Sequence, residues 1–318
     1  MKKRKVLICG ASGFIGRNLY ERLAKRKDLN VFGTFHTNNP FPKDKNIIRA
    51  DLRIKEDTLG VLSGVDILIQ TAATSSGAKD IVSKPYYHVT DNAVMNTLLL
   101  QSAYDQNVPQ AIFFSCSVMY PGQNARPVKE SDFTPHKDNM ERKYFGAAWA
   151  KIYMEKLCQF YAGLGRTKFT VIRHSNIYGP YDKYDLEKSH VFGATITKTM
   201  TNTDGKIVVW GEGSEERDLL YVSDLVDFVE LVIKKQDYDF DLFNVGLGKS
   251  VSVKELVQKI IKHSGRKLTI VFDKSKPSIP TKLALDSTRA KKKFGWKPKI
   301  SLDEGIKKTI QWYKKNIS

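Results

Sequence analysis

No run in this sequence approaches the ~18–20 consecutive apolar residues that a membrane-spanning helix requires. The basic N-terminus leads into an apolar segment, but that segment soon meets Gly10, Ser12 and Gly13. A secretory signal would stay apolar and end in a cleavage site, so that reading is excluded. Cysteine is scarce. Cys9, Cys116 and Cys158 form an odd, widely spaced set, which gives neither a disulfide framework nor metal-ligand spacing. Cys9 falls in a strand-like run and Cys158 in a helical pattern, so both read as core residues. The expectation is a cytoplasmic protein with no membrane partner and no metal. Acidic residues are also few: 34 Asp and Glu stand against 52 Lys and Arg, a net charge of +18. Such a charge suits nucleic acid. The lysines are scattered, however, and the densest run, at 291–293, reads as a solvated helix face. An anionic small molecule accounts for the charge as well, and no nucleic-acid partner is expected.

Against these absences stands a regular alternation. Short apolar runs at 5–9, 30–35, 46–50, 65–70, 111–115 and 169–173 read as buried strands. Amphipathic stretches at 17–27, 93–105 and 146–164 read as helices. This alternation predicts an α/β protein with a Rossmann-type, doubly wound parallel sheet. Such sheets bind ligands beyond the carboxyl ends of their strands. Past residue 175 the pattern loosens, with strands expected at 207–210, 219–222, 242–245 and 268–272 and helices at 224–234, 253–264 and 302–315. A dinucleotide-binding domain over 1–175 and a smaller mixed α/β lobe over 176–318 follow, with some crossing of the chain between them. The cleft between the lobes is the expected ligand site.

The first strand runs directly into Gly10-Ala11-Ser12-Gly13-Phe14-Ile15-Gly16 and then a helix. Gly10 permits a tight turn, Gly13 lets backbone approach a pyrophosphate, and Gly16 lets helix and strand pack closely. The helix start offers unpaired N–H groups and a positive dipole end to phosphates. Strand, glycines and helix occur in the order the motif demands. The second strand ends Thr34-Phe35-His36-Thr37, without the carboxylate that would bind the ribose hydroxyls of NAD. His36 and Arg17 read as neighbours of a 2′-phosphate, so NADP(H) is expected rather than NAD(H). Asp51 and Leu52, after the third strand, are placed at the adenine edge.

Three segments carry the remaining chemistry: Ser115-Cys116-Ser117-Val118-Met119-Tyr120, then Tyr144-Phe145-Gly146-Ala147-Ala148-Trp149-Ala150-Lys151, then His174-Ser175-Asn176-Ile177-Tyr178-Gly179-Pro180. With Ser189-His190-Val191, Trp210-Gly211-Glu212-Gly213, Arg217-Asp218 and Asn244-Val245-Gly246-Leu247-Gly248 they make the chain resemble the extended short-chain dehydrogenase/reductases, the NAD-dependent epimerase/dehydratase family. Within it the chain looks most like the GDP-fucose synthase type of keto-sugar reductase. The resemblance implies that Lys151 holds the nicotinamide ribose. It also implies that Thr71, Ala72, Ala73, His174, Asn176 and Ile177 line the cofactor. A tyrosine four residues before the lysine would exchange the proton, because positions i and i+4 share a helix face. That position is Ala147. Tyr144 lies seven residues before Lys151, about two turns away on a regular helix. Ala147 is therefore expected to be a replacement of tyrosine that impairs the enzyme.

The hydroxyl that the family supplies from the fifth strand falls on Cys116, with Ser117 beside it. Ser117 is the better candidate, since a thiol donates weakly. His190 matches a family histidine that can act as a second acid, or that only binds substrate. Its partner position is Val118, which carries no proton. For the substrate, a nucleotide-diphosphate sugar with GDP favoured, the resemblance implies Arg217 at the diphosphate, suited by its planar fork. It adds Lys282 and Asp286 as a cap, with Ser117, Asn176, His190, Val191, Lys198 and Trp210 along the cleft. The expected function is NADP(H)-dependent reduction of a 4-keto group on a linked deoxyhexose or heptose. NAD-dependent epimerisation or dehydration is the enzymatic alternative, and an inactive sugar-nucleotide-binding protein the other. The resemblance also implies a homodimer through the long helix that bears Lys151.

Overall fold

A computed structural model of the chain describes residues 2–74, 84–134, 140–186, 189–276 and 281–317. Strands β1 (Arg4–Cys9), β2 (Leu29–Phe35), β3 (Ile47–Arg49), β4 (Ile67–Gln70), β5 (Gln110–Ser115), β6 (Lys168–His174) and a later strand, Phe240–Val245, form one sheet in the order Phe240–Val245, β6, β5, β4, β1, β2, β3. Every pairing in it is parallel. The chain reverses direction of travel between β1 and β4, and a crevice opens at such a switch point. The strands are apolar on both sides because both sides are covered. On one face Leu19, Tyr20 and Leu23 of α1 (Phe14–Leu23) pack with Val6 and Ile8. On the other, helices α2 (Lys55–Leu62), α3 (Thr90–Asp105) and α4 (Phe145–Gly163) bury Leu62, Leu99 and Met154 against Leu7 and Leu68. Cys9 and Cys158 are in this second core, as expected.

The rest of the chain builds a smaller layer beside the carboxyl edge. It contains β7 (Asn176–Tyr178), α5 (Val191–Met200), β8 (Lys206–Trp210), β9 (Glu216–Tyr221) and α6 (Val222–Lys235). Phe240–Val245, already described, is β10. Then come β11 (Ser250–Ser252), α7 (Val253–Ser264), β12 (Thr269–Asp273), β13 (Lys282–Leu283), α8 (Thr288–Phe294) and α9 (Leu302–Asn316). β9 is the centre of a small mixed sheet with β7, β11 and β13, and β8 pairs with β12. Tyr178, Phe192, Ile196, Leu256, Ile306 and Tyr313 form its core. The segment α6–β10 returns to the large sheet: Leu225, Phe228, Val229 and Phe243 pack with Val6 and Ile8.

Several elements were not anticipated. α5 reads Val-Phe-Gly-Ala-Thr-Ile-Thr-Lys-Thr-Met, a β-branched composition with modest helix propensity. It is helical because Phe192 and Ile196 bury into the small lobe's core. α2 has a weak apolar period, and β7, β11 and β13 are too short to show one. α1 begins at Phe14 instead of Arg17, because the helix starts inside the glycine turn.

A buried polar network ties β5, β6 and β10 to α4. Glu155 accepts from Ser115 Oγ at 2.5 Å and from Arg173 at 2.9 and 2.6 Å. Arg173 Nη1 donates to the Tyr120 hydroxyl, which donates to Asn244 Oδ1 at 2.7 Å. Both charged side chains are 5% exposed. Glu155→Ala leaves the Arg173 charge buried and unpaired, an effect of about 3–5 kcal/mol. Urea denaturation should show that loss; a change under 1 kcal/mol, the ~0–1 kcal/mol expected of an exposed ion pair, would place the pair in water.

Candidate active site

The glycine turn is built by contacts that allow no side chain. Gly10 has φ +79°, and a Cβ there would meet the Ala72 backbone at 2.7 Å. A Cβ on Gly16 would overlap the carbonyl oxygen of Gly10. Gly13 N–H donates to that same carbonyl at 2.9 Å, which closes the turn. No side chain caps the start of α1 and its first turn holds no acid. The turn therefore presents backbone N–H groups and the positive helix end to a cleft of about 840 Å³.

That cleft collects most of the residues expected from sequence. Gly10, Ser12, Gly13, Phe14, Ile15 and Gly16 line one end, with His36, Asp51, Leu52, Thr71, Ala72 and Ala73 beside them. Cys116, Ser117, Ala147, Lys151, His174, Asn176, Ile177, His190 and Val191 line the other. Thr71 Oγ1 donates to the Cys9 carbonyl at 2.7 Å and fixes the start of the loop after β4.

At the end of β2, His36 Nε2 lies 3.5 Å from Asp51 Oδ2. Asp51 is paired with Arg53 at 2.8 Å, and that hydrogen bond pulls its carboxyl down to about 2. Arg53 also reaches Asp91 at 3.2 Å. The expectation for Arg17 is corrected here. Its guanidinium stacks 3.8 Å over the Tyr181 ring and pairs with Glu21 at 3.0 Å, and it does not line the cleft. Arg53 is the cation near His36. The sequence offered a signal for it, since it directly follows Asp51-Leu52.

In the other half, Lys151 Nζ donates to the Phe114 carbonyl at 2.8 Å. Burial lowers its pKa from the ordinary lysine value. His174 Nδ1 lies 2.7 Å from the Ser175 carbonyl, which can only accept. Burial pushes His174 down to about 4, and its neighbour Lys151 adds to that. His174 is thus neutral near pH 7. Ser117 is 9% exposed, and no described residue hydrogen-bonds its hydroxyl. The Cys116 thiol is pushed up by burial and accepts from the Val118 N–H. Val118 packs with Met119 and Tyr120 and brings only hydrocarbon to the cleft.

His190 precedes α5, where burial and its neighbours Lys183 and His88 hold its pKa down. Asp182, unforeseen from sequence, lines the same region and is raised to about 7 by burial. Tyr144 is also in the cleft. Arg142–Tyr144 form a 3-10 turn, so Tyr144 precedes the regular helix, contrary to the two-turn estimate.

Five expected residues, Arg217, Lys282, Lys198, Trp210 and Asp286, lie elsewhere, outside the cleft lining. Arg217 donates to the Glu216 carbonyl at 3.0 Å and to the Thr281 hydroxyl. Its charge acts on Tyr144. Lys282 lies 3.5 Å from Glu216. Lys198 donates to the Val208 carbonyl at 3.0 Å and sits 5.9 Å from the Trp210 ring centre. Asp286 lines a second, separate cavity with Arg126 and Lys291.

A glycine turn at a sheet's switch point, facing a lysine across one cleft, defines a dinucleotide-binding oxidoreductase fold. The model of the NAD dependent epimerase/dehydratase family matches residues 6–246, and the chain belongs to that family. It is 30% identical to the GDP-L-colitose synthase of Yersinia pseudotuberculosis over 97% of both chains. It is 28% identical to the GDP-L-fucose synthase of Escherichia coli K12, covering 99% of this chain and 98% of the other. Among solved structures it resembles a UDP-glucose 4-epimerase of Thermotoga maritima with UDP-glucose. That likeness has a TM-score of 0.86 at 25% identity, over 99% of this chain and 100% of the other. Among the described residues no helix is long and apolar enough to cross a membrane.

The depressed His174 pKa has a pH consequence. Its folded value is about 4 against 6.5 for a free imidazole, so its contribution to stability is present above pH 6.5. It is lost as pH falls through about 4. The unfolding free energy of the wild type should therefore fall more steeply over that window than that of His174→Gln. Equal slopes in urea titrations would mean that the imidazole is solvated.

Proposed function

We propose that this protein reduces the 4-keto group of a nucleotide-diphosphate-linked deoxyhexose or heptose with NADP(H), a GDP-linked sugar being favoured. The observation that carries the reading is the shared cleft of the phosphate-gripping turn, a β2 end without a carboxylate, Lys151 and Ser117. A bound dihydronicotinamide would supply hydride to the sugar carbonyl carbon. Gly10–Gly16 would hold its pyrophosphate, His36 and Arg53 its 2′-phosphate, and Asp51–Leu52 its adenine edge. Lys151 would grip the nicotinamide ribose and Ser117 would donate to the sugar oxygen. Arg217 would meet the substrate diphosphate at the rim, with Lys282, Trp210 and Lys198 farther out. Val118 supports a single-centre reaction, because it cannot move the second proton that epimerisation requires. His190 would then bind the sugar. The exposed Val94, Tyr153 and Phe160 on α3 and α4 support a homodimer through these helices.

Ala147 favours a second reading, an inactivated variant or a natural sugar-nucleotide-binding protein without turnover. Mixing the chain with NADPH and a GDP-linked 4-keto-6-deoxyhexose separates them. Loss of nicotinamide absorbance in proportion to sugar consumed is expected. An epimerase returns its hydride and shows no net loss, and a binding protein shows saturation without consumption. NADPH should bind more tightly than NADH; equal affinities would remove the role given to His36 and Arg53.

A further inference from the structure

A keto reduction needs a proton at the sugar oxygen, and the residue four before Lys151 has none to give. The cleft holds another phenol close by. Tyr144 is the residue before α4, with φ −98° and ψ −1°, and it closes the 3-10 turn Arg142–Tyr144. Its side chain thus leaves the backbone ahead of the helix and lines the cleft with Cys116, Ser117, Ala147 and Lys151. Helical side chains lean toward the N-terminus, so Lys151 leans toward the end of α4 where Tyr144 stands. Between them on this wall of the cleft are Gly146, Ala147 and Ala150, none bulkier than a methyl group. No described residue hydrogen-bonds the Tyr144 hydroxyl. Three titratable groups act on it: Arg217 favours its ionised form, and Glu141 and Cys116 oppose it. Burial is the largest influence; with Glu141 and Cys116 it outweighs Arg217 and keeps the phenol protonated.

We propose that Tyr144 is the catalytic proton donor, standing in for the hydroxyl that position 147 lacks. The inference rests on the reductase reading above. A bound dihydronicotinamide would supply the hydride for the new C–H bond at the sugar carbonyl carbon. The carbonyl π pair takes the Tyr144 proton and becomes the O–H bond of the product. The charge of Arg217 favours the phenolate left behind, and water returns its proton, so one ketone, one NADPH and one proton give one alcohol and one NADP⁺. On this account Ala147 makes room for the sugar, and the chain is an active enzyme with its acid shifted ahead of the helix.

Tyr144→Phe deletes only the hydroxyl. Turnover should fall by about 10²–10⁴-fold, the range for loss of a general acid, with NADPH and sugar-nucleotide affinities unchanged. Adding Ala147→Tyr to that variant should restore turnover. A readout independent of turnover is the phenolate absorbance of the protein titrated with alkali. The positive nicotinamide ring of NADP⁺ should lower the pKa of one tyrosine, and Tyr144→Phe should abolish that response. Full turnover in Tyr144→Phe, or a tyrosine titration that NADP⁺ does not move, overturns the proposal and leaves the reductase reading standing. A wild type that binds both ligands but consumes no NADPH overturns the reductase reading, and the proton-donor role with it.

Discussion

Everything at this site depends on one close approach: the carbonyl oxygen of Gly10 occupies the space where any side chain on Gly16 would begin. That approach brings the start of α1 against the end of β1. Gly13 N–H then closes the turn on the same carbonyl. The uncapped first turn of the helix consequently lies at the switch point between β1 and β4, where the sheet leaves a crevice. Without Gly16 the helix would stand off the strand, and its N–H groups would no longer converge on the crevice.

The opposite wall is held by charge in place of close backbone. The Glu155–Arg173 pair and its partners Ser115, Tyr120 and Asn244 lock β5, β6, β10 and α4 together directly beneath Cys116 and Ser117. Asn244 extends the lock to the following loop, because its N–H donates to Glu130 and its amide to the Val128 carbonyl. A buried pair is weak evidence of net stability, but it defines one geometry. In this protein the geometry it defines is the backbone after β5, which presents a serine hydroxyl to the cleft.

The sequence was most legible where one residue type has a single use. Gly10 and Gly16 announce the turn because no side chain fits there, and the apolar runs of β1, β4 and β5 announce buried strands. Legibility failed where tertiary contacts decide. α5 is helical despite its threonines because Phe192 and Ile196 have a core to enter. β10 belongs to the large sheet although it follows the small lobe in the chain, and only its pairing with β6 reveals that. Arg17 directly follows the glycine turn, yet Tyr181 and Glu21 draw it away and leave Arg53 near His36. Tyr144 could not be placed by counting helical turns, because the helix had not yet begun.

The excess of positive charge acquires a location once the acids of the cleft are considered one at a time. Asp51 and Asp91 share Arg53, so the three side chains together carry a single formal negative charge. Asp182, raised to about 7, is only partly ionised at neutral pH. Lys143, Lys151 and Lys183 line the same cleft, while burial holds the His190 pKa down and favours its neutral form. The wall is therefore net positive although it contains three aspartates. A cleft of one sign with low-dielectric walls draws oppositely charged ligands by steering as well as by contact. The two diphosphates of the proposed ligands are such charges. The wider basicity of the surface adds to that attraction without needing a nucleic acid to explain it.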